Sequence, residues 1–189
     1  RFRWLEGVAM DLARSHLTVT LSVWKALFLR ESLSRLFSAR AAWFWLLVEP
    51  TFHASYLVFI FTVVRVRTVG GIDTVLWILV GLLAFFMFRR TGTQVMNSLK
   101  ANKALFTYRQ VKPVDTALVR AGLEGFLMAL VASVELARAA LFGHDVIPDD
   151  ALRVIHVLTL LWLLGLGFGL VTSVATELVP ESARLIGMA

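Results

Sequence analysis

The sequence predicts an all-α polytopic membrane protein, and three observations support this prediction. Of the 189 residues, 58% are hydrophobic, and the mean hydropathy is +0.76, whereas a soluble domain is usually about 45–50% apolar. The apolar residues fall in four runs, at 42–64, 72–88, 116–142 and 152–176. A helix needs about 20 apolar residues to cross a bilayer, and within lipid only a helix or a closed barrel satisfies the backbone. Because no alternating barrel strands are visible, we expect four transmembrane helices.

The net charge of +6 is spread unevenly, and its distribution predicts an orientation. Segments 1–40 and 89–114 hold thirteen lysines and arginines, whereas the loops at 65–71 and 143–153 hold three. Lys and Arg collect on the cytoplasmic side of membrane proteins. We therefore expect the N-terminus, segment 89–114 and the tail at 177–189 to be cytoplasmic. The same distribution argues against nucleic acid as a partner.

The segment before the first apolar run is predicted to be an amphipathic helix within residues 15–40. Leu17, Leu21, Trp24 and Phe28 recur at steps of four, three and four, which is one face of a helix. An apolar stripe beside basic residues is typical of a helix that lies in the membrane surface. The apolar face changes near residue 30, which indicates a bend or burial of the second half against other helices. This helix is either a simple anchor or a gate where a charged substrate enters.

The first run contains ionisable residues that need partners. Glu49 precedes Pro50, and His53 follows Glu49 at i+4. A carboxylate at the bilayer centre costs at least about 2.5–3.5 kcal/mol and rarely faces lipid. We expect Pro50 to kink the helix and Glu49 to face a neighbouring helix. A metal or proton-relay pair of Glu49 with His53 is the alternative.

Spacing in the third and fourth runs predicts local contacts. Two pairs are spaced to neutralise themselves along one helix face, namely Arg120 with Glu124 and Glu135 with Arg138. Asp115, which follows Pro113, is the predicted N-cap of the third helix. Gly165 and Gly169 form a small-residue face that favours close helix contact.

The sequence contains no signature of a catalytic site. It has no cysteine, no Walker A motif, no nucleophile elbow and no HExxH motif. One loop groups four residues that suit a metal, although a polar turn at Pro148 is the simpler interpretation: His144, Asp145, Asp149 and Asp150. We predict no catalytic residue, no metal and no other cofactor in this chain.

The segment at 95–112, between the second and third runs, is both basic and aromatic. Residues 100–115, which run from this segment up to the start of the third run, read KANKALFTYRQVKPVD. Apolar anchors with a polar rim are typical of a docking site. A positive topology signal on anionic lipid is the other interpretation.

Two stretches resemble a known family, the permease subunit of bacterial ATP-binding-cassette capsular polysaccharide exporters, of the O-antigen and teichoic-acid exporter type. They read LFLRESLSRLFSARAAWFWLLVEPTFH and RTGTQVMNSLKANKALFTYRQVKPVDTALVRAGLE. The likeness covers roughly residues 20–125, and several motifs occur in one order. VKPVD beside YR favours capsule over O-antigen export.

The resemblance implies a homodimer in the bacterial inner membrane, bound to two ATP-binding subunits that hold ATP and magnesium. The cargo would be an acidic, lipid-anchored capsular polysaccharide, passed on to periplasmic and outer-membrane export proteins. O-antigen or teichoic acid is the alternative cargo. The family has six spans, so this chain would hold the first four, and four spans alone should not close an export channel.

The resemblance also implies two sets of site residues. A cytoplasmic coupling helix at 95–112 would meet the ATPase through Asn102, Leu105, Phe106, Tyr108 and Arg109. A basic and aromatic substrate path would use Arg30, Arg35, Arg40, Trp43, Trp45, Glu49, Arg89 and Arg90, because positive charge concentrates a polyanion. A third hypothesis is a membrane enzyme that acts on a lipid-linked sugar through Glu49, His53 or the loop aspartates. No two carboxylates share one predicted catalytic face, so we favour the transport subunit.

Overall fold

The computed structural model describes residues 2–37, 42–63, 68–69 and 71–179, and most of this part is helical. The helices are α1 (Phe2–Phe37), α2 (Ala42–Val63), α3 (Thr74–Met96), α4 (Ser98–Asn102), α5 (Pro113–Leu141) and α6 (Ala151–Leu178). An antiparallel ribbon of two residues per strand, β1 (Thr68–Val69) and β2 (Ile72–Asp73), lies between α2 and α3 in the chain. The predicted all-α membrane fold is confirmed.

Three of the described helices are long and apolar enough to cross a membrane: α3, α5 and α6. Helix α2 has 22 residues and contains the first predicted span up to Val63, and its crossing stays a prediction. Pro50 lies inside α2 and is buried. Helix α1 is longer than the predicted 15–40 helix, since it begins at Phe2 and runs without a break to Phe37. Residues 38–41, 64–67 and 180–189 lie outside the described part of the chain.

Helix α3 continues well beyond the predicted span at 72–88 and ends at Met96. This added part contains two arginines, and one of them, Arg90, is neutralised by Glu124 of α5, at 3.0 Å between Nε and Oε1. Its last turns are also buried, with Thr91 and Val95 both at 0% exposure. The predicted coupling segment at 95–112 therefore overlaps the end of α3.

Helix α5 begins at Pro113, so the prediction that Asp115 is the N-cap is wrong. Proline suits a first helical position because it lacks the N–H that would be unpaired there. Asp115 lies in the first turn, where its Oδ2 accepts a hydrogen bond from the Lys112 amide at 3.0 Å. A carboxylate at this end also interacts favourably with the helix dipole.

Helix α3 is the centre of the packing. It contributes to all three buried apolar clusters, through Leu79 against α2 and α5, through Phe86 and Met87 against α5, and through Val95 against α5. The predicted glycine face on α6 is confirmed. A Cβ built on Gly165 would lie 3.1 Å from the Phe88 carbonyl oxygen, and one on Gly169 would lie 2.5 Å from Val95 Cβ. These two glycines therefore let α6 approach the α3 backbone closely.

Candidate functional site

The segment between α3 and α5 is a compact, hydrogen-bonded turn, and we call residues 97–112 the connecting segment. It contains α4 and a 3-10 helix at Lys103–Thr107. The Tyr108 amide donates to the Leu105 carbonyl at 3.0 Å, and the Val111 amide donates to the Tyr108 carbonyl at 3.0 Å. These hydrogen bonds and the two short helices hold the segment in a folded turn.

The predicted docking residues differ in exposure. Tyr108 is 64% exposed, and Arg109 is also exposed. Leu105 and Phe106 are half-buried. Asn102 is only 4% exposed, and its Nδ2 donates to the Ser98 carbonyl at 3.0 Å. Asn102 therefore holds the turn from inside, and the expectation that it contacts a partner does not fit its burial.

A buried carboxylate joins three helices at a point about three turns along α5 from the connecting segment. Glu124 of α5 is 1% exposed. It binds the guanidinium of Arg35 from α1 and that of Arg90 from α3. Arg35 also donates through Nη2 to Gln94 Oε1 of α3 at 2.8 Å. Glu124 therefore lies where α1, α3 and α5 meet.

A second carboxylate, Glu31 of α1, extends this group of charges. Glu31 Oε1 lies 3.3 Å from Arg35 Nε and 2.9 Å from Arg120 Nε. The Arg120 Nε–H does not point at this oxygen, so the contact is an ion pair and not an aligned hydrogen bond. The predicted pairing of Arg120 with Glu124 along one face of α5 is wrong, because each residue takes its partners from other helices.

We call these residues the charge cluster: Glu31, Arg35, Arg90, Arg120 and Glu124. Two carboxylates face three guanidinium groups, and every member is at least three-quarters buried. Removing one partner of a buried ion pair typically costs about 3–5 kcal/mol, because an unpaired charge stays behind in a dry site. Such a cluster resists separation of the helices that it joins.

Helix α1 runs beside α5 in the same direction. Three contacts set this register: Trp24–Asp115, Glu31–Arg120 and Arg35–Glu124. Residues further along α1 contact residues further along α5, and the spacing between successive contacts is nearly the same on the two helices. If α5 crosses the membrane, the second half of α1 is inclined with it and does not lie flat in the surface. The alternative expectation, burial of this half against other helices, holds only for the face that carries Glu31, since Leu29 and Leu33 remain exposed.

A polar and aromatic pocket of about 340 Å³ opens between α2, α3 and α6, and we call it the aromatic pocket. Its lining comprises Glu49, Phe85, Phe86, Phe88, Arg89, Arg90, Thr93, Gln94, Met96 and Phe168. The Arg89 guanidinium lies over the Phe85 ring, 5.7 Å from the ring centroid. A pocket with aromatic faces and both signs of charge suits a polar, ring-shaped ligand.

The structure brings together only part of the predicted substrate path. Glu49, Arg89 and Arg90 meet in the aromatic pocket, and Arg35 reaches it indirectly through Gln94. Arg30 and Trp45 are exposed and do not line the aromatic pocket. Arg40 and the side chain of Trp43 lie outside the described residues.

A second polar contact joins α2 to α5. The predicted pairing of Glu135 with Arg138 is confirmed, with Arg138 Nε 3.1 Å from Glu135 Oε2. Thr51 donates to the other oxygen of Glu135, and Arg138 Nη1 donates to Ser55 Oγ at 3.0 Å. His53 instead packs its ring edge-on against Phe86 of α3, and no ion pair or hydrogen bond joins it to Glu49 among the described residues.

The end of α5 is tied to the start of α3 by a pair that the sequence did not predict. His144 Nδ1 lies 2.8 Å from Asp73 Oδ2, while Asp73 Oδ1 accepts from the Val75 amide at 2.7 Å and caps α3. Burial raises the pKa of Asp73, but the hydrogen bonds from His144 and Val75 lower it by more, so it lies below its ordinary value. The two residues are 71 positions apart, so no local pattern marks them. Within the described part of the chain, no three His, Cys, Asp or Glu residues come close enough to hold a metal.

The fold and this site define a class of protein. Charges such as Glu124 are buried, whereas large apolar residues such as Leu163, Leu164 and Val171 of α6 are exposed. This is the reverse of a soluble protein and is typical of a polytopic α-helical membrane protein.

Comparison with known proteins gives the family. A scan against protein-family models finds no match. The polysialic acid transport protein KpsM of Escherichia coli is 31% identical over 175 residues, which is 93% of this chain and 68% of the relative. The capsule polysaccharide export inner-membrane protein CtrC of Neisseria meningitidis serogroup A is 27% identical over 82% of this chain and 59% of its own length. The corresponding protein BexB of Haemophilus influenzae is 23% identical over 84% of this chain and 60% of its own length. The chain belongs to the family of capsule polysaccharide export inner-membrane proteins.

Proposed function

We propose that this chain is the transmembrane subunit of an ATP-driven exporter that moves a capsular polysaccharide across the bacterial inner membrane. The observation that carries this proposal is the likeness to relatives named for polysialic acid transport and capsule export, over 80% or more of the chain. O-antigen and teichoic acid are not favoured, because these relatives are named for capsule. In this proposal the chain supplies surfaces for transport, and ATP hydrolysis is assigned to the partner subunit.

The connecting segment is the proposed docking site for the ATP-binding partner. Tyr108 and Arg109 offer an exposed aromatic anchor and a charged rim, and the nearby Phe106 is half-buried. Docking there requires the segment and the N-terminus to be cytoplasmic, as the distribution of positive residues predicts. The resemblance gives two copies of each subunit, which the mass of the purified complex would test. It also gives periplasmic and outer-membrane export proteins as later partners.

The aromatic pocket is the proposed contact with the cargo. An acidic polymer would be attracted by Arg89, while Phe85 and Phe168 offer ring faces for sugars. Arg35 and Arg90 are already engaged by Glu124, so neutralising them would disturb the packing as well as the path. Arg89 is exposed and makes no ion pair among the described residues. Replacing it therefore tests the substrate path without breaking an ion pair of the charge cluster.

The docking proposal is tested by co-purification of an ATPase. The full-length protein is purified from native membranes, and ATPase activity in the preparation is measured for the parent and for Phe106→Asp plus Tyr108→Asp. We expect the parent to bring down an ATPase and the double variant to lose it, because a carboxylate cannot replace an aromatic anchor in an apolar pocket. Tyr108→Asp alone separates docking from any local effect of changing the half-buried Phe106.

The matched control is Phe142→Asp, the same type of change at a 76% exposed residue at the other end of α5. This variant should keep the ATPase. If no ATPase co-purifies with well-folded parent protein, the docking proposal is wrong. That result would favour the hypothesis of a membrane enzyme.

A further inference from the structure

The charge cluster connects α1 to both helices that carry the connecting segment. On α3, Arg90 and Gln94 lie within the last two turns before the segment begins. On α5, Arg120 and Glu124 lie within the first three to four turns after it ends. From α1, Arg35 contacts Gln94 of α3 and Glu124 of α5, and Glu31 contacts Arg120 of α5. One stretch of α1 therefore contacts both arms of the hairpin.

A further contact fixes α1 nearer to the connecting segment. Trp24 Nε1 donates to Asp115 Oδ1 at 2.9 Å, while the other oxygen of Asp115 accepts from the Lys112 amide at the end of the segment. Trp24 and Arg35 are about 16 Å apart along α1 at 1.5 Å per residue. Helix α1 is therefore attached at two separated points, which prevents it from pivoting about one.

We propose that the charge cluster is a lock that makes α1 move with the connecting segment as one rigid body, with Glu31 and Glu124 as its positioning residues. The proposal rests on the function proposed above, because the partner ATPase supplies the motion. Packing by apolar contacts alone would let the helices slide at small cost. Pulling α1 away from the hairpin would leave buried charges unpaired, which is far more costly.

The lock has a functional consequence for the exporter. Motion that reaches Tyr108 at the partner surface is carried through α3 and α5 to α1. Because α1 also carries exposed apolar residues, including Leu29 and Leu33, its movement rearranges the surface that faces lipid or a second copy. Without the lock, ATP hydrolysis would continue but would no longer be converted into transport.

The first test measures export per ATP hydrolysed in the complete permease–ATPase complex. Glu124→Gln keeps the shape of the side chain and removes its charge. We expect the ATPase to co-purify and to hydrolyse ATP, while export per ATP falls about fivefold or more, which is the lower range of coupling between distant sites. A merely structural role would reduce assembly and hydrolysis together. Glu177→Gln at the exposed end of α6 is the matched control and should change neither quantity.

The second test measures motion directly. The chain contains no cysteine, so spin labels on Leu29→Cys in α1 and Gln110→Cys in the connecting segment report one distance. In the parent we expect a single narrow distance distribution that is the same with and without a non-hydrolysable ATP analogue. In Glu124→Gln the distribution should broaden or become dependent on the nucleotide.

The outcomes separate the two proposals. If no ATPase co-purifies with the parent, the proposed function is wrong. If the ATPase co-purifies and Glu124→Gln keeps the parent's coupling and distance, the lock is wrong and the function stands. A distance in the parent that changes with nucleotide also overturns the lock. If Glu124→Gln fails to assemble, Glu31→Gln decides by the same measurements, since it leaves Glu124 paired with both of its arginines.

Discussion

The contact between α3 and α6 depends on one glycine, which makes Gly169→Ala an informative substitution. A Cβ at residue 169 would lie 2.5 Å from Val95 Cβ and 2.8 Å from the Gly92 carbonyl oxygen. Ordinary contact begins at 3.4 Å, so α6 would have to withdraw by about 0.9 Å. Neither obstacle can rotate away, because one is backbone and the other is a Cβ.

The expected cost follows from this overlap. Forcing an extra methyl group into a close-packed contact typically costs about 1–3 kcal/mol. For a chain of this size, each kcal/mol lowers the melting temperature by about 2–4 °C, so we expect a loss of about 2–12 °C. The assay is thermal unfolding of the purified protein in detergent, followed by tryptophan fluorescence or by loss of the monodisperse peak.

Gly167→Ala is the matched control on the same helix. A Cβ there meets nothing within 4 Å, so this variant should unfold at the parent's temperature or slightly above it. Equal melting temperatures for the two variants would refute the close approach of α6 to α3. A large loss in Gly167→Ala alone would mean that the opposite face of α6 is the packed one.

Two further predictions concern single charged groups. Replacing Arg89 by Gln should lower export about tenfold or more while ATP hydrolysis and assembly persist, since a hydrogen bond to a charged group contributes about 1.5–3 kcal/mol. The control is Arg153→Gln, and unchanged export in the Arg89 variant would remove the aromatic pocket from the path. Asp73→Asn should destabilise the protein at neutral pH, because the lowered pKa of Asp73 reflects a carboxylate stabilised by folding. That stabilisation is present above the ordinary pKa of 3.8 and is lost as the pH falls through the lowered pKa. The melting temperatures of parent and variant should therefore converge in acid. A difference that stays constant with pH would contradict the role of the pair with His144.

The charge cluster changes the meaning of several predicted path residues. Arg35 was expected to attract a polyanion, but its guanidinium is held by Glu31, Gln94 and Glu124. A residue so engaged acts first on the arrangement of helices and only second on a ligand. Exposed arginines such as Arg89 are better suited to meet the cargo.

The sequence could not reveal this cluster. Gln94 carries no local signal, since a single amide on an apolar helix fits many environments. Glu31 and Arg35 do share one face of α1 at i, i+4 spacing, which marks a pair but not its further partners. The identity of those partners depends on contacts between residues 89 positions apart.

The sequence by itself determined the fold class, the long apolar helices, the glycine face of α6 and the basic, aromatic character of the connecting segment. Each of these depends on local composition or on helical spacing, which a single helix possesses before it packs. The tertiary structure alone decided which charges meet, because an arginine within reach of several carboxylates pairs with the one that packing presents. For that reason Glu124 turns away from Arg120 on its own helix and binds Arg35 and Arg90. The burial of Asn102 and the position of α1 beside α5 were also decided by packing, because each depends on how helices distant in sequence come together.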